Sequence, residues 1–288
     1  MAVVNTNIAA SLAQASLMKN ERALGTAMEQ LSTGRKINSA GDNAAGLAIS
    51  TRMSSQIRGL DAAIRNANDA VSMVNTAEGA LDEITTMLQR MRELAVQAGT
   101  GTTDAADRTY LQSEFTALRT EIDRIADNTQ WNGRNILDGS AGASTGKSTV
   151  AFGIGQDGTA AQTLSTSFGN FNNTTGKLSG LASKVITGTT ITSAITVAAA
   201  AITEIDVVIA DVSAQRASFG AVSNRLTHAV DSLTNTKTNS EAARSRVLDT
   251  DYAAATSELA RTQIIQQAGT AMLAQANTMP QTVLALLQ

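Results

Sequence analysis

A seven-residue rhythm of apolar residues, sustained for lengths that few folds can absorb, constrains this chain more than any other feature. Met53, Ile57, Leu60, Ile64, Ala67, Val71 and Val74 advance by alternating steps of four and three. That spacing keeps one narrow stripe of a helix facing a partner helix. The pattern breaks phase near Ala77 and Gly79 and resumes at Leu81, Ile84, Leu88, Met91 and Ala95. From about Asn43 to Ala98 it predicts one helix, about 80 Å long at 1.5 Å per residue and therefore a rod. Gly99 and Gly101 end it, and Thr103 or Asp104 is placed to cap the next helix. There Leu111, Phe115, Leu118, Ile122 and Ile125 repeat the rhythm. The C-terminal third repeats it at Ile195, Ala198, Ile202, Ile205, Ile209 and Val212, then, after another shift, at Phe219, Val222, Leu226, Ala229 and Leu233.

Composition supports the same architecture. Aromatic residues make up only 3% of 288, too few to fill a broad core with rings. The single proline, Pro280, leaves nearly the whole chain free to run in uninterrupted helices. The expected fold is mainly α: a long antiparallel helical bundle or coiled coil with paired terminal helices. Residues 138–190, rich in Gly, Ser, Thr and Asn, hold no helical period. There "STVAFGIG" and "AQTLSTSF" flank Gln156, Asp157 and Gly158, and Asp-Gly is a favoured hairpin turn, so a small β-hairpin region is expected. The expected division is therefore terminal helices at 1–42 and 247–288, a long-helix bundle at 43–140 and 190–246, and a hairpin region at 141–189.

The terminal segments carry thin stripes. Leu17, Leu24, Met28 and Leu31 stand at helical spacing near the start, and Leu259, Ile265, Met272 and Leu284 mark the Ala- and Gln-rich end. Such stripes bury too little in isolation to offset the roughly 1–2 kcal/mol of ordering each backbone residue. Both ends are expected to fray in the monomer and to become a helical pair on assembly.

Several short motifs suggest chemistry and fail on context. "GSAGASTGKST" (139–149) resembles a phosphate-binding loop, but Ala141 stands where the first glycine is required and a strand-like segment follows instead of a helix. "VVIAD" (207–211) would be the magnesium-holding strand, yet it falls inside the helical rhythm. "GASTG" (142–146) fits a hydrolase nucleophile turn, which needs a histidine base. The one histidine, His228, sits two residues beyond the seam residue Leu226 and reads as a solvated helix-surface group. Absence of Cys excludes thiol nucleophiles, thiolate metal sites and disulfides. Asp61, Asp69, Glu78, Asp82 and Glu83 share a helix with Arg65, Arg90 and Arg92, a solvated face with i,i+4 pairing. The methionines at seam positions read as core filler. No enzyme, cofactor or metal site is expected. Asn172 to Thr175 contains glycosylation sequons, a weak signal.

A net charge of −3 and the lack of a basic run argue against nucleic acid. No run of about 18 consecutive apolar residues suggests a membrane span. The N-terminus lacks the cationic, apolar and small-residue segments of a cleaved secretory signal. One face stands out. In "LQRMRELAVQ" (88–97) the seam takes Leu88, Met91 and Ala95, leaving Arg90, Glu93, Leu94 and Gln97 together on another face. An exposed leucine among charges there is expected to be a protein-contact patch.

At both ends the sequence resembles bacterial flagellin. The matching words are "NTN" (5–7), "ALGTAMEQLSTGRKINSAGDNAAGLAIS" (23–50), "RNANDAVSMVNTAEGALDEI" (65–84), "LQRMRELAVQ", "EIDRIADNTQWNGRNIL" (121–137) and the whole of 245–288. Gly41 and Asn43 depart from the Lys and Asp frequent in the family, which changes a loop charge only. The resemblance implies a homopolymeric subunit of the extracellular flagellar filament, secreted unfolded through the flagellar type III apparatus. Further implied partners are a filament cap, hook-associated junction proteins and an export chaperone that captures the "VLALL" tail (283–287). It also implies a host Toll-like flagellin receptor, whose epitope carries over to Gln89, Arg90, Glu93, Leu94 and Gln97, with Glu114 on the adjoining helix. A hook–filament junction protein is the structural alternative, and should lack this long flagellin-like C-terminus.

Overall fold

The computed structural model of the chain describes residues 7–142, 148–155, 162–172, 176–188 and 190–285, with backbone alone for 279–285. In chain order the described residues form α1 (Ile8–Thr33), α2 (Ala40–Ala98), α3 (Ala105–Asn128), β1 (Gln130–Trp131), β2 (Arg134–Asn135), β3 (Thr149–Gly153), β4 (Thr163–Ser167), α4 (Ile191–Leu248) and α5 (Tyr252–Ala285). The fold is mainly α, as the rhythm predicts. Two compact units emerge, residues 58–237 and residues 1–57 with 238–288.

In the first unit α2 and α4 run antiparallel. Asp61 pairs with Lys237, Arg216 joins both Glu78 and Asp82, and Arg92 pairs with Asp206. As the α2 partner advances from 61 to 92, the α4 partner retreats from 237 to 206. The seams differ from the expected ones in an instructive way. Leu60, Ala63, Ala67, Ala70, Val74, Ala77, Leu81, Ile84, Leu88, Met91, Ala95 and Ala98 are all buried, a strict three-four alternation with no break near Ala77. On α4 the buried series is Ala194, Ala198, Ala201, Ile205, Val208, Val212, Phe219, Val222 and Leu226, with half-buried Gln215 filling the supposed shift. Ile195, read as a seam residue, is 48% exposed, while Ile64, Val71, Ile202 and Ile209 are half-buried. Alanine occupies the close-packed positions because small side chains let two backbones approach. The branched neighbours then lie at the rim, where reading by bulk mistook them for the seam.

The first part of α4 also holds an 18-residue window of mean hydropathy 1.8, of which 28% is buried. Length and composition alone would let it cross a membrane, although Thr, Glu and Asp interrupt the apolar run. Its buried Ala194–Val212 series packs into protein along one face.

Asp104 caps α3, its carboxylate accepting from the Ala105 N–H at 2.8 Å. Arg108 is buried and donates from Nε to the Ala98 carbonyl at 3.2 Å, placing a cation at the negative end of α2. Phe115, Ile122 and Ala126 bury the inner face of α3. After it comes a hairpin beyond the one expected from the sequence. β1 and β2 pair across Asn132 and Gly133, at φ 51° and 75°. Consecutive positive φ values are what a tight hairpin turn demands of Asn-Gly. The expected second hairpin is present as β3 and β4, antiparallel from Thr149↔Ser167 to Gly153↔Thr163. Its Gln156–Gly158 turn lies outside the described residues. Phe168, just after β4, meets Phe219 of α4 with ring centroids 5.1 Å apart, and Asn66 of α2 donates to the Gly153 carbonyl at 3.2 Å.

In the other unit α1 lies antiparallel to α5. Gly34 ends α1 in the left-handed conformation at φ 69°, its N–H bonding to Gln30, with the Tyr252 hydroxyl where a side chain would be. Backbone bonds from Lys36 to Leu248 and from Thr250 to Gly34 tie the two connectors together. Asn43 is non-helical, and its side chain accepts from the Gly46 N–H at 2.8 Å, so regular α2 begins after it.

Candidate assembly and receptor surfaces

The α2 patch separates into two layers. Gln89, Arg90, Glu93 and Gln97 are exposed on α2, and Glu114 is exposed on α3. Arg90 joins them: its guanidinium lies 2.8 Å from Glu114 and 3.1 Å from Glu93. Hydrogen bonding to Glu114 first, and to Glu93 second, raises the Arg90 pKa above its ordinary value. Beyond this ion-pair cluster, Gln89, Glu93 and Gln97 line an open groove together with Arg92 and Val96. Neither residue stood out in the sequence. Val96 is 51% exposed, and Arg92 is anchored by Asp206 from α4, a partner that only the folded α2–α4 pairing reveals.

Leu94 is not on the surface. It is fully buried in the core, which corrects the expectation of an exposed leucine among charges. Met73 is buried, Ala80 and Met87 are partly buried, and all three share its place in the seven-residue repeat. A two-position seam suits a helix with one partner. One in a multi-helix core buries a third position of each heptad as well.

At the ends, α1 and α5 form a small coiled coil. The inward residues of α1 are Ala10, Ala13, Leu17, Asn20, Leu24, Ala27 and Leu31, at strict three-four spacing. Those of α5 are Ala255, Leu259, Thr262, Gln266, Gly269, Leu273 and Ala276. Asn7 donates to the Ala276 carbonyl at 2.8 Å, and Asn20 donates to the Thr262 carbonyl at 2.8 Å and to Gln266 Oε1 at 3.2 Å. Thus Leu17, Leu24, Leu31 and Leu259 belong to the pair's own seam and are half-buried. Met28 at 54%, Ile265 at 41% and Met272 at 65% lie off that seam, Ile265 and Met272 flanking it in a groove with Ala13, Ser16 and Leu17. Ile8, Leu12, Met18 and Ile264 are exposed as well. Leu284 lies in the α5 backbone, its side chain outside the described residues. The polar members Asn20, Thr262 and Gln266 carried no apolar signal and were missed.

The motifs set aside on context stay so. Val207–Asp211 is helical within α4, with Asp211 paired to Lys177 at 3.2 Å. Residues 143–147 of the loop-like motif lie outside the described residues, and strand β3 follows them. His228 is exposed on α4.

Residues 4–142 match the bacterial flagellin N-terminal helical region, and residues 202–287 match the bacterial flagellin C-terminal helical region. The chain belongs to the bacterial flagellin family. It is 42% identical to a flagellin of Halalkalibacterium halodurans over 286 residues, covering 99% of this chain and 100% of that one. To a Bacillus subtilis flagellin it is 42% identical over 306 residues, covering 99% of each. A solved Vibrio parahaemolyticus protein described as flagellar hook-associated shares the fold, with TM-score 0.60 and 13% identity over 72% of this chain and 100% of that one. Flagellins are structural filament proteins, not enzymes. Against the junction-protein alternative, the flagellin C-terminal match runs to residue 287.

Proposed function

We propose that this flagellin-family chain is exported unfolded by the flagellar type III apparatus and polymerises outside the cell into the flagellar filament. The terminal pair, residues 1–42 and 247–288, is its core-forming part, the long helices its wall, and residues 141–189 its outward region. One observation carries this reading: the α1–α5 pair leaves large apolar side chains uncovered outside its own seam, among charged residues such as Lys19, Arg22 and Arg261. Ile8, Leu12, Ile264 and Met272 are each at least 65% exposed. Several large apolar side chains left exposed on one pair of helices mark a contact surface, and further copies of the same pair are the partners that a filament supplies.

The filament cap and hook-associated junction proteins then bound the polymer, and an export chaperone covers the "VLALL" tail before secretion. Gln89, Arg90, Glu93, Gln97 and Glu114 form the face read by a host Toll-like flagellin receptor, with Leu94 supporting it from beneath. Seeded growth of Ile264→Asp tests the central claim. Because Ile264 is 66% exposed, helix content should be unchanged while growth on filament seeds is lost. Filaments growing at the normal rate would refute burial of this face.

A further inference from the structure

With no cysteine in the chain, its nine methionine thioethers are its only sulfur redox groups. Their distribution is uneven. Met91 is fully buried, Met73 is 6% exposed, and Met53 and Met87 are half-buried, all on α2. Met18 at 54%, Met28 at 54% and Met272 at 65% are open to solvent, and all three lie on the terminal pair. Met1 and the Met279 side chain lie outside the described residues.

We infer that Met18, Met28 and Met272 are oxidation sites that make assembly sensitive to oxygen-transfer oxidants such as hydrogen peroxide. The inference rests on the filament reading above. A thioether lone pair attacks one peroxide oxygen, the S–O bond forms as the O–O bond breaks, and the two electrons leaving sulfur reduce the peroxide to water. The product sulfoxide is a strong hydrogen-bond acceptor on a side chain whose thioether was only a weak one. On the free chain water solvates it. On an apolar face about to be covered by another subunit it is stripped of water and finds no donor, so the face no longer docks. Once buried in the polymer, the same thioethers are shielded. Damage therefore falls on subunits not yet assembled, and a sulfoxide reductase reverses it.

The test treats full-length monomer and preformed filaments with the same hydrogen peroxide, maps sulfoxides by peptide mass spectrometry and follows growth on seeds. Met18, Met28 and Met272 should oxidise in the monomer before Met73 and Met91, and should stay reduced in filaments. Growth should fall at least tenfold and return after sulfoxide reductase treatment. A variant with Met18→Leu, Met28→Leu and Met272→Leu should grow equally before and after peroxide. Oxidation of Met91 as early as Met272, undiminished growth of monomer oxidised at all three sites, or equal loss of growth in the leucine variant would each overturn the inference. Untreated protein unable to grow would overturn the filament reading and this inference together. Normal untreated growth with unaffected oxidised growth would overturn this one alone.

Discussion

Arg90 of α2 and Glu114 of α3 meet at 2.8 Å on the surface, while Leu94, one helical turn beyond Arg90, has no exposed surface at all. A surface residue and a core residue thus stand one turn apart on the same helix, and variants there must be chosen by layer. Arg90→Ala removes an ion pair whose side chains are 49% and 44% exposed, and such pairs are worth about 0–1 kcal/mol. Leu94→Ala leaves a cavity and should cost about 2–5 kcal/mol. Urea denaturation should show the contrast, while a receptor-reporter assay should fall for Arg90→Ala at full stability. Full signalling by folded Arg90→Ala would remove Arg90 from the proposed receptor face.

The seam assignment has its own contrast. Ala201 is fully buried, so Ala201→Leu should overpack the α4 seam and cost about 1–3 kcal/mol. Ile195→Ala, at a position 48% exposed, should change stability by no more than about 0.5 kcal/mol. The opposite order in thermal or denaturant unfolding would restore the branched residues to the seam.

That contrast also marks where the fold was legible from sequence. Helix existence, antiparallel return and the β3–β4 hairpin follow from heptad spacing and turn residues, because both signals are local. Which of two adjacent heptad positions faces the partner is not local. It depends on how closely the backbones approach, and alanine is apolar enough for either side. The same limit hid Leu94, whose burial needs a third helix, and Arg92, whose partner Asp206 is distant in sequence. Asn20, Thr262 and Gln266 look like breaks in a stripe until α5 supplies their hydrogen bonds. The β1–β2 hairpin was readable from Asn132-Gly133 and was missed because its strands are only two residues long.

Acid should loosen the connector between α1 and α2. The Asp42 carboxylate accepts from the Ser39 N–H at 2.8 Å and the Asn38 N–H at 3.0 Å, and these bonds, Ser39 first, hold its pKa below the ordinary aspartate range. A depressed folded pKa means that the stabilisation is complete above the unfolded value and is lost as the pH falls through the folded one. Protection of the Asn38 and Ser39 amides should therefore hold at neutral pH and fall away below about pH 4. In Asp42→Asn that pH step should vanish. A step that persists in the variant would assign it to another group.

The termini, expected to fray in the monomer, are helical and paired within the single chain over the described residues. The polar layer at Asn20 offers the sharpest test of whether that pair is weak. Asn20 is 8% exposed and Thr262 is 1% exposed, so two buried seam positions of a thin coiled coil hold polar side chains. A buried asparagine in such a seam lowers stability relative to leucine, in exchange for specificity of pairing. Here the connectors tied through Lys36–Leu248 and Thr250–Gly34 already set the register, so specificity alone does not account for the layer. Replacing Asn20 by Leu should leave no buried group stranded. The Thr262 carbonyl keeps its place in the α5 helical ladder, and half-buried Gln266 can reach water. Asn20→Leu should therefore tighten the pair by about 1–2 kcal/mol, the scale of one newly buried aliphatic side chain. Amide exchange across α1 and α5 in the monomer should slow by roughly tenfold, each 1.4 kcal/mol being a factor of ten. If export requires an unfolded chain, the same variant should accumulate inside the cell while purified protein still polymerises. Unchanged exchange would show that the layer is not what limits the pair, and unchanged secretion would separate terminal stability from export.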